Sequence, residues 1–309
     1  MTVHVRVLPG PGGRARARLA RVAVVVGLAA AACGAGPGGP PPSQPVPPSP
    51  GQPSASSPVS VSPASASPSA ARSGHGADSG ARAPAGSSRP LAGKIVGIDP
   101  GHNGGNFADT SYIGHQVWNG RAWEACDTTG TETDGGYTEA QFNFDVARYL
   151  RADLRRDGAR VVMTRTSNDG VGPCIDRRAE IINAAHADVA VDIHSDGGPA
   201  SGRGFTILEP VGDGPNDVVI TSSQRFGSDL RQAFLADVPA LPESTYSGSQ
   251  GIMSRDDLAG LNLTTVPKVL IEIGNMRNAT DAQMLGSASF QELAARAIAA
   301  AIITFLRAG

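Results

Sequence analysis

The chain has 309 residues, 40% of them hydrophobic and 17% charged, with a formal net charge of -2. That balance excludes the strongly basic face expected of a nucleic-acid binder. Usage is uneven: no Phe, Trp or Tyr precedes Phe107, and fourteen of the 24 prolines lie between Pro37 and Pro90.

In chain order, residues 1–33 read as an export signal. Arg14, Arg16, Arg18 and Arg21 precede an apolar stretch, Val22 to Ala32, which is too short to span a bilayer comfortably. Ala30-Ala31-Ala32-Cys33 resembles a bacterial lipobox, although Leu28 is misplaced for a good one. Lipid attachment at Cys33, and so membrane anchoring, fits the pattern; simple cleavage near Ala31 or Cys33 fits it as well.

Residues 34–90 read as a disordered tether rich in Pro, Ser and Ala. Such a composition cannot bury enough apolar surface to offset chain entropy. As a coil it spans about 40 Å, and as polyproline about 170 Å. That reach suits an enzyme held at a membrane and working on a nearby polymer. A spacer that only solubilises is the plainer alternative. Residues 91–309 form the folded part, about 220 residues and one α/β domain.

Within that domain, Lys94 to Asp99 is a short apolar run ending in Pro-Gly, which predicts a buried strand. Residues 103–137 are rich in Gly, Thr and Asp and predict an irregular stretch. Helical spacing of Phe142, Val146, Leu150 and Leu154 predicts a helix over Glu139–Asp157, with Thr138 as N-cap and Gly158 beyond its end. Strands follow at Arg160–Thr164, Asp188–His194, Gly204–Glu209 and Val269–Ile273. Helices follow at Ile175–His186, Thr221–Ala236 and Ser287–Leu306. This alternation predicts an open, twisted, mostly parallel sheet with helices on both faces. Ligand sites in such sheets lie off the carboxyl ends of the strands.

Cys126 and Cys174 are the only cysteines in the folded part, and an even pair in an exported domain suggests a disulfide. Metal ligation is the alternative, but no CxxC spacing supports it. His102, His194 and Glu272 all fall at strand ends, and Glu139 opens a helix. Two imidazoles and two carboxylates so placed can build an open zinc site of the His2Glu type, with a spare carboxylate to act on water. Each residue alone has a plainer reading: surface histidines, a carboxylate favoured by the helix dipole at Glu139, a buried ion pair at Glu272.

The ordered segments IVGIDPGHNGG, TEAQFN, VVMTRTSND, RRAEIINAAHADVAVDIHSD and VPKVLIEIGNMRN resemble the zinc-dependent N-acetylmuramoyl-L-alanine amidases of the Amidase_3 type, over about residues 94 to 308. The resemblance implies Zn2+ ligands at His102, Glu139 and His194 and a catalytic glutamate at Glu272. It also implies a peptidoglycan or muramyl-peptide substrate, cut at the amide between N-acetylmuramic acid and L-Ala. Departures occur at Asn103, where the family has Gly, at Asp192-Ile193-His194-Ser195-Asp196, usually Ser-Ile-His-Ala-Asn, and at Asn275, usually Phe. They bear on substrate preference more than on catalysis.

Arg165, Arg178 and Asn183 match family positions and are expected to be scaffold contacts, with substrate binding as the alternative. Asp99 either orients a ligand or shapes the turn. Residues 103–137 lie between two ligand candidates and are expected to line or partly cover the groove, pinned through Cys126 and Cys174. Trp118 and Trp123 pack either on substrate or on the domain. The chain is expected to act as a monomer in the cell envelope or outside the cell. The alternatives are another zinc peptidase or deacetylase on the same fold, or a catalytically silent cell-wall-binding protein.

Overall fold

A computed structural model describes residues 89–308. The export signal, Cys33 and nearly all of the tether lie outside the described residues. The domain begins with Leu91, fully buried, and strand β1 at Ile95–Pro100. The stretch 103–137 is more ordered than its composition suggests. It holds a short helix, α1 at Thr110–Ile113, and a hairpin of β2 at Gln116–Trp118 with β3 at Trp123–Ala125. These elements are too short to leave a periodic signal, and the hairpin stands apart from the main sheet.

Next comes α2 at Glu139–Arg156. The Thr138 side chain accepts a hydrogen bond from the Gln141 N–H, so the predicted N-cap forms. Gly158 lies just beyond with φ +101°, a conformation that glycine adopts without the Cβ penalty. Then follow β4 at Arg160–Met163, α3 at Ile175–Ala184, β5 at Val189–Asp196 and β6 at Thr206–Pro210. The chain continues through α4 at Ile220–Asp237, β7 at Ile252–Arg255 and α5 at Ala259–Asn262. It closes with β8 at Lys268–Asn275, α6 at Ala279–Leu285 and α7 at Ala288–Arg307. Strand β7 and helices α5 and α6 were not expected. Each is only one or two turns of helix or a four-residue strand, and β7 follows the Gly- and Ser-rich run 247–251.

The six-stranded sheet has the order β4-β1-β5-β8-β6-β7. All neighbours are parallel except β6 against β8, so the sheet is mixed but mostly parallel. Because strand side chains alternate, each central strand feeds two faces. Val96, Ile98, Val189, Val191, Ile193, Val269, Ile271 and Ile273 enter the large core beneath α2, α4 and α7. By length and hydropathy α7 could cross a membrane, but Ala294, Ile298, Ile302 and Phe305 are buried in this core. The other face is smaller. Ile182 of α3 packs with Ala190 there, and Leu261 of α5 packs with Leu208 and Leu270. On this second face also lie the polar residues of β1, β5 and β8.

Cys126 and Cys174 are joined as a disulfide, which ties the hairpin segment to the start of α3. Closing a loop of 48 residues contributes about 4 kcal/mol in the chain-entropy picture.

Candidate metal centre and active site

The β5–β8 register sets His194 beside Glu272, at the carboxyl ends of two central strands. His102 stands on the turn after β1, with φ +54°, an uncommon conformation for a residue bearing a Cβ. Two buried guanidinium groups hold that turn. Arg165 donates to the Pro100, Gly101 and Ala140 carbonyls, and Arg178 donates to the Pro100 and His102 carbonyls. Asn183 donates to the Leu263 carbonyl and accepts from the Thr265 N–H. All three therefore bond to the backbone of neighbouring segments.

Glu139 opens α2 and is buried. Its Oε1 lies 2.8 Å from His194 Nδ1 and 3.4 Å from His102 Nε2. Its Oε2 accepts from the Thr131 N–H at 3.0 Å. One donor atom from each of His102, Glu139 and His194 lies within 4.8 Å of the others. The imidazoles meet edge to face with centroids 4.9 Å apart. These three side chains, predicted from distant parts of the sequence, converge on one point and are able to hold a metal ion. A second cluster of metal-binding residue types, His115 with Cys126 and Cys174, offers no thiolates because the cysteines are disulfide-bonded.

Each imidazole also faces a buried carboxylate that sequence reasoning missed. His102 Nδ1 is 2.8 Å from Asp127 Oδ1, and His194 Nε2 is 3.5 Å from Asp192 Oδ1. Asp99, by contrast, touches neither imidazole. It accepts from Thr164 and Arg178 and lies 3.3 Å from Lys268 Nζ. Asp192 and Lys268 were visible in principle, as charged residues inside apolar strands. Asp127 stands in the irregular stretch and carries no pattern.

Burial opposes charge at every group here, and the neighbours decide the outcome. Burial would depress His102, but Glu139 and Asp127 lift it to about 9. His194 is likewise disfavoured as a cation by burial, yet Asp192 and Glu139 hold it well above the usual histidine range. Burial would raise Glu139, but His102 and His194 hold it well below the usual carboxylate range. Glu272 goes the other way. Burial raises it, His194 pulls it down, and Glu139 and Asp196 push it up again, to about 8. Its Oε2 is buried without a hydrogen-bond partner.

His102, His194 and Glu272 open into a cavity of about 340 Å³. Its walls include Ile175, Leu208, Leu258 and Leu270, with Glu124 of β3 and Arg255 of β7 among the charged groups. The stretch 103–137 therefore does line the groove, through Glu124, Ala125, Asp127 and Thr128. Trp118 and Trp123 pack edge to face on each other, centroids 5.8 Å apart, and neither is among the residues lining this cavity.

Comparison with known proteins places the whole domain in a family. The family model Amidase_3, N-acetylmuramoyl-L-alanine amidase, matches residues 96–304. The chain is 39% identical over 223 residues to the N-acetylmuramoyl-L-alanine amidase Rv3717 of Mycobacterium tuberculosis, covering 70% of this chain and 88% of that one. The domain is similar to the crystal structure of the amidase Ami1 from Mycobacterium smegmatis, with TM-score 0.67, 39% identity, and 71% of this chain and 99% of that one covered. Ami1 from Mycobacterium abscessus gives TM-score 0.65 and 42% identity, covering 70% of this chain and all of that one (100%).

The centre leaves no room behind the His194 ring. A Cβ on Gly101 would lie 2.1 Å from its Nε2 and Cε1. Gly101→Ala is expected to tilt that ring and weaken binding of a divalent metal about tenfold or more, with the far-UV spectrum unchanged. Titration with zinc checks it; wild-type affinity in a folded variant would contradict the packing argument.

Proposed function

The chain belongs to the Amidase_3 family of N-acetylmuramoyl-L-alanine amidases, and from that membership we propose how its residues divide the work. The protein is a peptidoglycan amidase. The bond cut is the amide between the lactyl group of N-acetylmuramic acid and L-Ala of the stem peptide. The observation that carries the assignment of roles is the convergence of His102, Glu139 and His194 beside Glu272.

Two imidazoles and one carboxylate suit zinc, and three protein ligands leave a coordination position open. Asp127 on the outer nitrogen of His102 is the partner that zinc-binding histidines usually have. The orphaned Glu272 Oε2 next to them suits a site that also takes up a water or a cation. His102, Glu139 and His194 would thus hold the ion. Zinc bound there supplies Lewis acidity, lowering the pKa of water and polarising the scissile carbonyl.

The proton belongs to Glu272. As the water oxygen adds to the carbonyl carbon, Glu272 takes one of its protons. As the C–N bond breaks, Glu272 delivers that proton to the L-Ala nitrogen. The products are a lactyl carboxyl group and a free L-Ala amino terminus. Opposite pKa displacements support this division: Glu139, held ionised, is a ligand, while Glu272, with raised proton affinity, is the shuttle.

We further infer that residues 1–33 direct export and that residues 34–90 hold the domain at the cell envelope, with Cys33 in the lipobox-like Ala30–Cys33 pattern as the candidate for lipid attachment. Cys33→Ser should move the protein from the membrane fraction to the medium. A wild-type chain already in the medium would remove the anchor.

Zinc must displace the proton that His102 carries below about pH 9 in the metal-free protein. Each unit of pH below that value weakens zinc binding about tenfold per displaced proton. Affinity at pH 6 is therefore expected to be about 100-fold lower than at pH 8 from His102 alone, measured by chelator competition. Equal affinities would show that the site binds zinc without losing this proton.

Glu272→Gln is expected to keep its zinc and to lose roughly 10²–10⁴-fold in turnover. Mass spectrometry of digested muramyl peptides reads the free L-Ala terminus. Full turnover in this variant would sink the proton-shuttle assignment.

A further inference from the structure

A run of buried charges along the cavity wall leads from one imidazole to the other. From His102 Nδ1 the path leads 2.8 Å to Asp127 Oδ1. Asp127 Oδ2 accepts from Arg178 Nη2 at 3.1 Å, and Arg178 Nη1 donates to Asp99 Oδ1 at 2.8 Å. Lys268 Nζ lies 3.3 Å from Asp99 Oδ2 and 3.3 Å from Asp192 Oδ2. Asp192 Oδ1 is 3.5 Å from His194 Nε2, a charge contact rather than a hydrogen bond. The five intervening side chains are at most 8% exposed.

Nothing about the fold requires charge in these places. An apolar set of similar volume is often as stable as a buried ion network or more so. Leu270 and Ala190 on the same sheet face show that apolar residues fit there. Lys268 is the joint of the path. It sits four residues before Glu272, on the same face of β8. Helix α5 closes over it: a Cβ on Gly260 would lie 2.9 Å from Asp192 Oδ2 and 3.1 Å from Lys268 Nζ. Three carboxylates against two cations leave one net negative charge, and Glu139 adds a second.

We propose that Lys268, with Asp192 and Asp127, forms a positioning network that orients both imidazoles toward a common centre and couples one ring to the other. This rests on His102, Glu139 and His194 being the metal ligands. Electrostatics agree with the geometry. Burial opposes the charge on Asp99, but Lys268 and Arg178 hold it well below the usual carboxylate range. Burial likewise opposes the charge on Lys268, but Asp192 and Asp99 keep it protonated. With Lys268 in place, the Asp192 carboxylate is fixed beside His194. Without it, Asp192 Oδ2 loses its cation, while Asp99 keeps only Arg178 and Thr164.

The test is zinc binding by the full-length metal-free chain, measured by chelator competition, beside its thermal stability. Lys268→Met and the isosteric Asp192→Asn are each expected to bind zinc 10–100-fold more weakly. Should Lys268→Met fail to fold, Asp192→Asn carries the test. Asp127→Asn combined with Asp192→Asn is expected to lose less than the product of the two single losses, because the rings share one network. Wild-type zinc affinity in folded Lys268→Met and Asp192→Asn would overturn the proposal. Losses that simply multiply in the double variant would overturn the coupling. A wild-type chain that binds no zinc would instead remove the underlying assignment of ligands.

Discussion

The parallel register of β5 on β8 is the constraint from which the site follows. It sets His194 against Glu272 and, through strand alternation, sends Asp192, Lys268 and Leu270 to the same face. A slip of one residue would turn all of these into the large core and bring Ile193 and Ile271 out. The register is secured by the very residues that alternate with the site. Val189, Val191, Ile193, Val269, Ile271 and Ile273 are fully buried beneath the three long helices. The apolar face therefore specifies the position of the polar one, and the chemistry depends on the hydrophobic effect one residue away.

His102 and Glu139 are brought to this pair by different means. Neither belongs to the β5–β8 pair, so backbone hydrogen bonds between those strands do not place them. The turn bearing His102 is secured by Arg165 and Arg178, whose planar guanidinium forks each satisfy several carbonyls at once. Arg165 also bonds the Ala140 carbonyl, which fastens the first turn of α2, and hence Glu139, to the His102 turn. The disulfide extends the same logic to the hairpin segment. It fixes Cys126 next to Asp127, whose carboxylate receives both His102 and Arg178.

Much of this was legible in the sequence. The long helices announce themselves by apolar spacing, and β1, β5 and β8 by apolar runs that stop at polar residues. His102, His194 and Glu272 drew notice because each follows such a stop, whereas Glu139, at the start of a helix, was named through the family resemblance. What was not legible has a common cause. The hairpin, β7, α5 and α6 are too short for periodicity to separate from loop. Asp127 acts through a fold in three dimensions that no local pattern encodes. Asp192 and Lys268 were visible as charges in buried strands, but their meaning lies in pairing across strands that are 76 residues apart in number.

One surface thus supports two opposite kinds of carboxylate. Glu139 faces two imidazoles and keeps its charge; Glu272 faces Glu139 and Asp196 and resists ionisation. Burial alone does not distinguish them, since it raises both. The difference lies in which neighbours each one sees, and those neighbours are fixed by strand register on one side and by the start of α2 on the other. A reaction that needs a permanent anion to hold a cation and a second carboxylate to exchange a proton requires this separation. The buried network of Asp127, Arg178, Asp99, Lys268 and Asp192 sustains it by keeping both imidazoles turned toward Glu139 and by leaving Glu272 outside the paired charges.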